Sequence, residues 1–252
     1  MPRHVRSARA VGHRRRPKQR IGLRRRPRKR SFVRELPLTL VAALLISLLI
    51  KTFLLQAFVI PSESMQDTLL VHDRVLVNKL ADKSDEIHRG DVVVFRDPGG
   101  WLPADVGDSG GVRAVIHRAM VFVGVAPSAS ARDLVKRVIG VGGDTVACCD
   151  RQKRITVNGV PLDEPYLYTG DRATPSQVVF DVRVPQGRLW VMGDHRSESA
   201  DSRFHLGDPG GGFVPIADVV GRAFARVWPL GRAGWLKQPV TFRQARLLRR
   251  GS

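Results

Sequence analysis

The chain has 252 residues, 43% of them hydrophobic and 26% charged, with a formal net charge of +19. That length and apolar share suit one sizeable domain or two small ones and exclude a collagen-like or wholly disordered chain. The charge suggests a nucleic-acid binder only until its distribution is read. Residues 1–30 hold 14 Lys or Arg and no acid, residues 231–252 hold six and no acid, and the stretch between carries 22 basic against 23 acidic side chains. The body is nearly neutral and the basic excess belongs to the tails.

In chain order, residues 1–34 read as a basic tail. So many like charges among Pro and Gly cannot collapse onto a core, so disorder and contact with anionic lipid are expected. From residue 36 to residue 60 the chain turns apolar, "LPLTLVAALLISLLIKTFLLQAFVI". About 25 residues at roughly 1.5 Å each cross a hydrocarbon core of about 30 Å. Lys51 interrupts the run near one end, where a lysine can snorkel to the interface. The basic flank predicts a cytoplasmic N-terminus and an exported body. A cleavable secretory signal would need a shorter run and a small-x-small site, which "LLQAFVIPS" lacks; an uncleaved anchor over residues 35–57 is expected.

Beyond the anchor the pattern shortens. "RVLVNKL", "DVVVFRD", "AMVFVGVA", "RITVNGVPL", "QVVFDVRV" and "RLWVMGD" are strand-length, rich in β-branched residues and closed by turn formers. They predict a mainly β domain over residues 58–230, followed by a basic tail over 231–252. Asn158 and Gly159 predict a tight hairpin, whose two central residues need positive φ. Residues 97–112 and 207–212 read as loops. Cys148 and Cys149 are adjacent, with no second pair at metal-binding spacing. They read as two small side chains; a vicinal disulfide stays open.

Ser62, Ser64 and Thr68 follow directly on the apolar run. A serine hydroxyl needs a neighbour that takes its proton. None of the seven histidines sits in a Gly-x-Ser-x-Gly elbow. A lysine serves instead where burial disfavours its charge. Lys136, in "DLVKRVIGVGGDTV", stands among Leu134, Val135, Val138 and Ile139 on a strand running into a Gly-Gly-Asp turn. Most strand lysines point to water, and spacing alone does not rank Lys136 above Lys79.

Four boxes decide between them. "IPSESMQDTL", "DRVLVNKL", "KRVIGVGGD" and "GDHRSESADSR" resemble, in order and spacing, those of the bacterial type I signal peptidases, membrane-bound Ser/Lys endopeptidases. The resemblance covers roughly residues 36–228. It implies an antiparallel β-sheet catalytic domain of signal-peptidase type behind one N-terminal transmembrane helix, with no metal and no cofactor. By the same resemblance Ser64 is the nucleophile and Lys136 the general base. The Ser64 N–H and the Ser62 hydroxyl would form the oxyanion hole, Ser199 would hold the lysine, Asp201 and Arg203 would pair in support, and Met65 would keep the site dry.

The implied substrates are secretory preproteins, cut after small residues of the Ala-x-Ala type at the outer face of the cytoplasmic membrane, near the export translocon. No nucleic acid is expected. Shallow pockets are expected beside Ser64, walled by Ile60 and strand residues around Val138. The family usually has Pro where Asp67 stands and "GDNRDNS" where this chain has "GDHRSES"; His195 and Glu198 read as surface-loop residues. Two other readings remain: a self-cleaving Ser/Lys repressor-type protease, and a membrane-tethered binding module without activity.

Overall fold

The computed structural model describes residues 32–82, 87–103, 132–172, 176 and 178–248. The basic N-terminal tail up to residue 31 and the expected strand "AMVFVGVA" lie outside the described residues. The chain divides into two compact units, Met1–Ala42 and Ala43–Ser252. The described part of the first is the opening of a helix, α1 (Phe32–Phe53), on which Leu36, Leu38 and Leu40 are exposed. Along the rest of α1, Leu44, Leu45 and Ile46 are exposed as well. Among the described residues, no helix is long and apolar enough to cross a membrane.

The helix ends at Phe53, earlier than the apolar run. The last apolar residues instead form strand β1 (Leu55–Val59), which pairs antiparallel with β2 (Arg74–Asn78) and buries Phe58. Tertiary pairing overrides the continuous hydrophobicity that reads as helix.

The second unit is mainly antiparallel β. Its further strands are β3 (Val92–Arg96), β4 (Asp133–Val141), β5 (Thr145–Cys148), β6 (Ile155–Val157), β7 (Val160–Pro161), β8 (Phe180–Arg183), β9 (Arg188–Met192), β10 (Val214–Pro215), β11 (Val219–Trp228) and β12 (Gly234–Trp235). Among the described residues they form a large sheet ordered β1-β2-β11-β3-β4-β9-β10, with β12 on β11, and a small sheet ordered β7-β6-β5-β8. The hairpin at Asn158 and Gly159 forms as expected, with φ of 52° and 74°. Strand β11, absent from the sequence expectations, is an interior strand of the large sheet, between β2 and β3. Its inward positions include Gly221, Ala223 and Ala225, and a Cβ on Gly221 would run into the Asn78 carbonyl oxygen of β2.

Strand β4 has two different halves. Residues 133–137 pair with β3, whereas pairing with β9 begins only at Arg137. Among the described residues, the edge of residues 133–136 on the β9 side carries no main-chain partner. Beyond β4, Gly142, Gly143 and Asp144 make the expected turn, closed by the Asp144 N–H donating to the Val141 carbonyl at 3.0 Å. At the end of β5, Cys148 and Cys149 are joined as a vicinal disulfide, which replaces the reading of two separate small side chains.

Candidate active site

Ser64 sits on a single helical turn, Glu63–Met65, immediately after β1 and Pro61. The loop from residue 60 to residue 73 is pinched at its base: Ile60 N–H donates to the Asp73 carbonyl and His72 N–H to the Ile60 carbonyl, both at 2.9 Å. Ser64 is buried, and its Oγ lies 3.3 Å from that of the exposed Ser62. Among the described residues, nothing accepts a hydrogen bond from the Ser64 N–H, so that donor is available. Asp67 has φ of +78°, a conformation closed to proline. The turn after Ser64 therefore differs from one built on the family's usual Pro at that position.

Lys136 lies on β4 opposite Val93 and is only 3% exposed. The next box closes over the site. The Ser64 carbonyl accepts the His195 N–H at 3.1 Å, and a Cβ on Gly193 would meet both that carbonyl oxygen and Ser199 Oγ. Ser199 Oγ donates to Asp201 Oδ2 at 2.8 Å, and the Gly193 N–H donates to the same oxygen at 2.9 Å. The Asp201 charge acts on Lys136. Ser64, Gly193, Ser199, Asp201 and Lys136 are thus linked into one neighbourhood. No hydrogen bond directly joins Ser64 Oγ to Lys136 Nζ, and Ser199 is turned to Asp201 rather than to the amine.

The expected pair of Asp201 and Arg203 is present and fully buried, with Arg203 Nε and Nη2 each 2.8 Å from a carboxylate oxygen. It is one of three such pairs around the site, and the other two were not foreseen. Arg137 grips Asp194 through Nε at 2.8 Å and Nη2 at 2.5 Å, lies over the Tyr166 ring, and shares Asp194 with the Thr68 hydroxyl. Arg196 pairs with Glu164. Arg137, Asp194 and Arg196 stand inside the very boxes that carry Lys136 and Ser199. A buried guanidinium needs a carboxylate, and three arginines within those boxes were the available signal.

That pairing isolates Lys136. Three buried arginines take three buried carboxylates, and among the described residues no ion pair is left for the lysine. Burial therefore lowers its pKa from the ordinary 10.5 to about 8; Asp201 and Asp194 push the other way, and Arg203 adds to the lowering. Asp201 is itself held below its ordinary value: burial would raise it, but the Arg203 guanidinium and the Gly193 N–H outweigh that cost.

Other expectations shift. Met65 is fully buried in a cluster with Phe58, Ile60, Leu69, Val75 and Val135, so it fills the core beneath the turn. Val138 packs in a different cluster, with Val93, Phe95 and Leu189. Alternation along β4 puts Val135, not Val138, on the side of Ile60. His195 is not a surface residue: it is buried, its ring 4.1 Å from that of Tyr168. Glu198 is exposed as expected. Among the described residues no cluster suited to a metal ion occurs.

Residues 33–228 match the family described as "Signal peptidase, peptidase S26". The chain belongs to that family. It is a serine endopeptidase, a hydrolase. Signal peptidase I of Mycobacterium tuberculosis (strain ATCC 25618 / H37Rv) is 42% identical over 221 residues, 80% of this chain and 74% of that protein. A probable signal peptidase I of Mycobacterium leprae (strain TN) is 41% identical over 209 residues, 73% of this chain and 72% of that protein. A crystal structure of a signal peptidase I from Enterococcus faecalis V583 is 27% identical and covers 54% of this chain and 95% of that chain, with a TM-score of 0.35.

Proposed function

We propose that this chain is a signal peptidase I that removes N-terminal signal peptides from exported preproteins with Ser64 as nucleophile and Lys136 as general base. The observation that carries the reading is the lysine left over among three satisfied ion pairs, buried beside the loop that holds the Ser64 carbonyl. The neutral amine takes the Ser64 proton as Oγ attacks the scissile carbonyl carbon. The negative oxygen so formed is received by the Ser64 N–H and the Ser62 hydroxyl. The ammonium then protonates the departing amine, which releases the mature chain, and water deprotonated by Lys136 frees the signal peptide from Ser64. In the resting protein the amine and the hydroxyl are not yet bonded, and substrate closes that gap.

The edge at residues 133–136, unpartnered among the described residues, supports a substrate that lies as an added strand next to Lys136. Ile60 and Val135 supply apolar walls that favour small side chains such as those of Ala-x-Ala. The apolar run of residues 36–53, behind a basic tail, serves as a single anchor with the N-terminus cytoplasmic. That topology puts Ser64 at the outer membrane face, near the phospholipid surface and the export translocon. The test is cleavage of a model preprotein in detergent by the parent chain and by Ser64→Ala and Lys136→Ala. Both variants are expected to be inactive; retained cleavage by either one removes its residue from the mechanism.

A further inference from the structure

Among the described residues, the segment between β7 and β8 touches the residue 193–203 loop at several places. Arg196 Nη1 donates to Glu164 Oε2 at 3.2 Å while Nη2 pairs with Oε1. The Tyr168 N–H donates to the Asp194 carbonyl at 3.0 Å, the Tyr168 ring lies against His195, and the Ser197 N–H donates to Asp171 Oδ2 at 3.2 Å. Glu164 is the carboxylate of this brace that pairs with an arginine. Its side chain and that of Arg196 are 3% and 1% exposed, and Oε1 also accepts the Tyr166 hydroxyl at 2.6 Å.

Arg196 in turn ties both ends of the loop together. Its Nε donates to the Gly193 carbonyl at 3.0 Å, and its own carbonyl accepts Arg203 Nη2 at 2.8 Å. Gly193 abuts the Ser64 carbonyl, and Arg203 holds Asp201. A carboxylate outside all four sequence boxes is thus connected through one arginine, by its guanidinium to Gly193 and by its carbonyl to Arg203, to both walls of the site.

We propose that Glu164 is a positioning residue for the peptidase reaction: by fixing Arg196 it holds the 193–203 loop, with Ser199 and Asp201, against Lys136. Without the Glu164 charge, buried Arg196 loses the carboxylate that grips its guanidinium at two nitrogens, which loosens the loop. The edge at residues 133–136 belongs to another element, so substrate docking is spared. The inference rests on Lys136 acting as the base.

The test measures kcat, KM and the pH dependence of preprotein cleavage by the full chain in detergent, with melting temperature recorded for each variant. Glu164→Gln, equal in volume, is expected to lower kcat by about tenfold or more with KM little changed. It should also move the midpoint of the alkaline-rising limb, because the Asp201 charge and the cover over the lysine both shift with the loop. Glu164→Asp should recover part of both effects, and Tyr166→Phe should show a smaller loss in the same direction. A folded Glu164→Gln with the parent kcat and limb overturns the proposal. So does a rate that falls only in proportion to the folded fraction with the limb in place, which is the mark of a merely structural brace. If Glu164→Gln does not fold, Glu164→Asp and Tyr166→Phe decide by the same readouts. A parent limb that survives in Lys136→Arg refutes the base assignment instead, and is told apart by that variant.

Discussion

Lys136 and Arg137 are neighbours on β4 and both are buried, yet only Arg137 has a carboxylate of its own, Asp194. Alternation sends the two side chains to opposite faces. One cation is thereby locked in its charged form, and the other is left able to lose its proton near neutral pH.

The rate of preprotein cleavage should therefore rise with pH through a midpoint near 8, where the Lys136 ammonium gives up its proton. Lys136→Arg keeps a cation that does not deprotonate in this range and should lose at least about a hundredfold in kcat/KM, with no rising limb. Initial rates from about pH 6 to about pH 10 check this. A limb that persists in Lys136→Arg belongs to another group.

The same lowering has a cost in stability whose sign is fixed by linkage. The folded-state pKa, about 8, lies below the ordinary 10.5, so between those values the unfolded chain binds more protons and stability rises with pH. Below about pH 8 the full cost is felt, on the order of 3 kcal/mol at about 1.4 kcal/mol per pH unit. Lys136→Met should melt at higher temperature than the parent at neutral pH, with the gain shrinking as pH climbs towards 10.5. Thermal unfolding at several pH values reads it out, and a gain independent of pH would be a packing effect.

Gly193 leaves no room for a side chain, since an added Cβ would strike Ser199 Oγ and the Ser64 carbonyl oxygen. Gly193→Ala should cost about 1–3 kcal/mol of stability, as overpacking does. It should also lower kcat more than it raises KM, because it displaces Ser64 from the lysine. Urea unfolding beside steady-state kinetics separates the two effects.

Asp67 holds a positive φ of 78° with its side chain exposed, and its contact with Arg172 is a loose 3.8 Å pair between two exposed groups. Asp67→Gly should be neutral or stabilising by up to about 1 kcal/mol. Asp67→Pro cannot keep this backbone and should lose at least about 1 kcal/mol together with activity. Equal melting temperatures for the two variants would contradict the positive φ.

What the sequence disclosed, and what it hid, follows from physical differences among the residues. Strands β2, β3, β6 and β9 alternate or run in β-branched residues with clear turn formers at their ends, and Asn158 with Gly159 could hardly be anything but a hairpin. Strand β11 is masked by its small side chains: three of its inward positions are Gly221, Ala223 and Ala225, too small to register as a hydrophobic stripe, and Gly221 is required where β2 approaches. Strand β1 was hidden by composition, its "LQAFV" continuing an apolar helix without a break. Ser64, Lys136, Ser199, Asp201 and Arg203 were nameable because they sit in ordered boxes. Glu164 lies some 30 positions from its partner Arg196 in the chain, and no local pattern announces a pairing made only in three dimensions.

The edge of β4 at residues 133–136, unpaired among the described residues, has a pharmacological corollary under the proposed docking. A short peptidomimetic that zips onto residues 133–136 but carries no cleavable amide would occupy the enzyme through backbone recognition alone. Its affinity would be indifferent to the loss of the Ser64 hydroxyl, so target-site resistance by mutating that serine would forfeit activity without evading the drug.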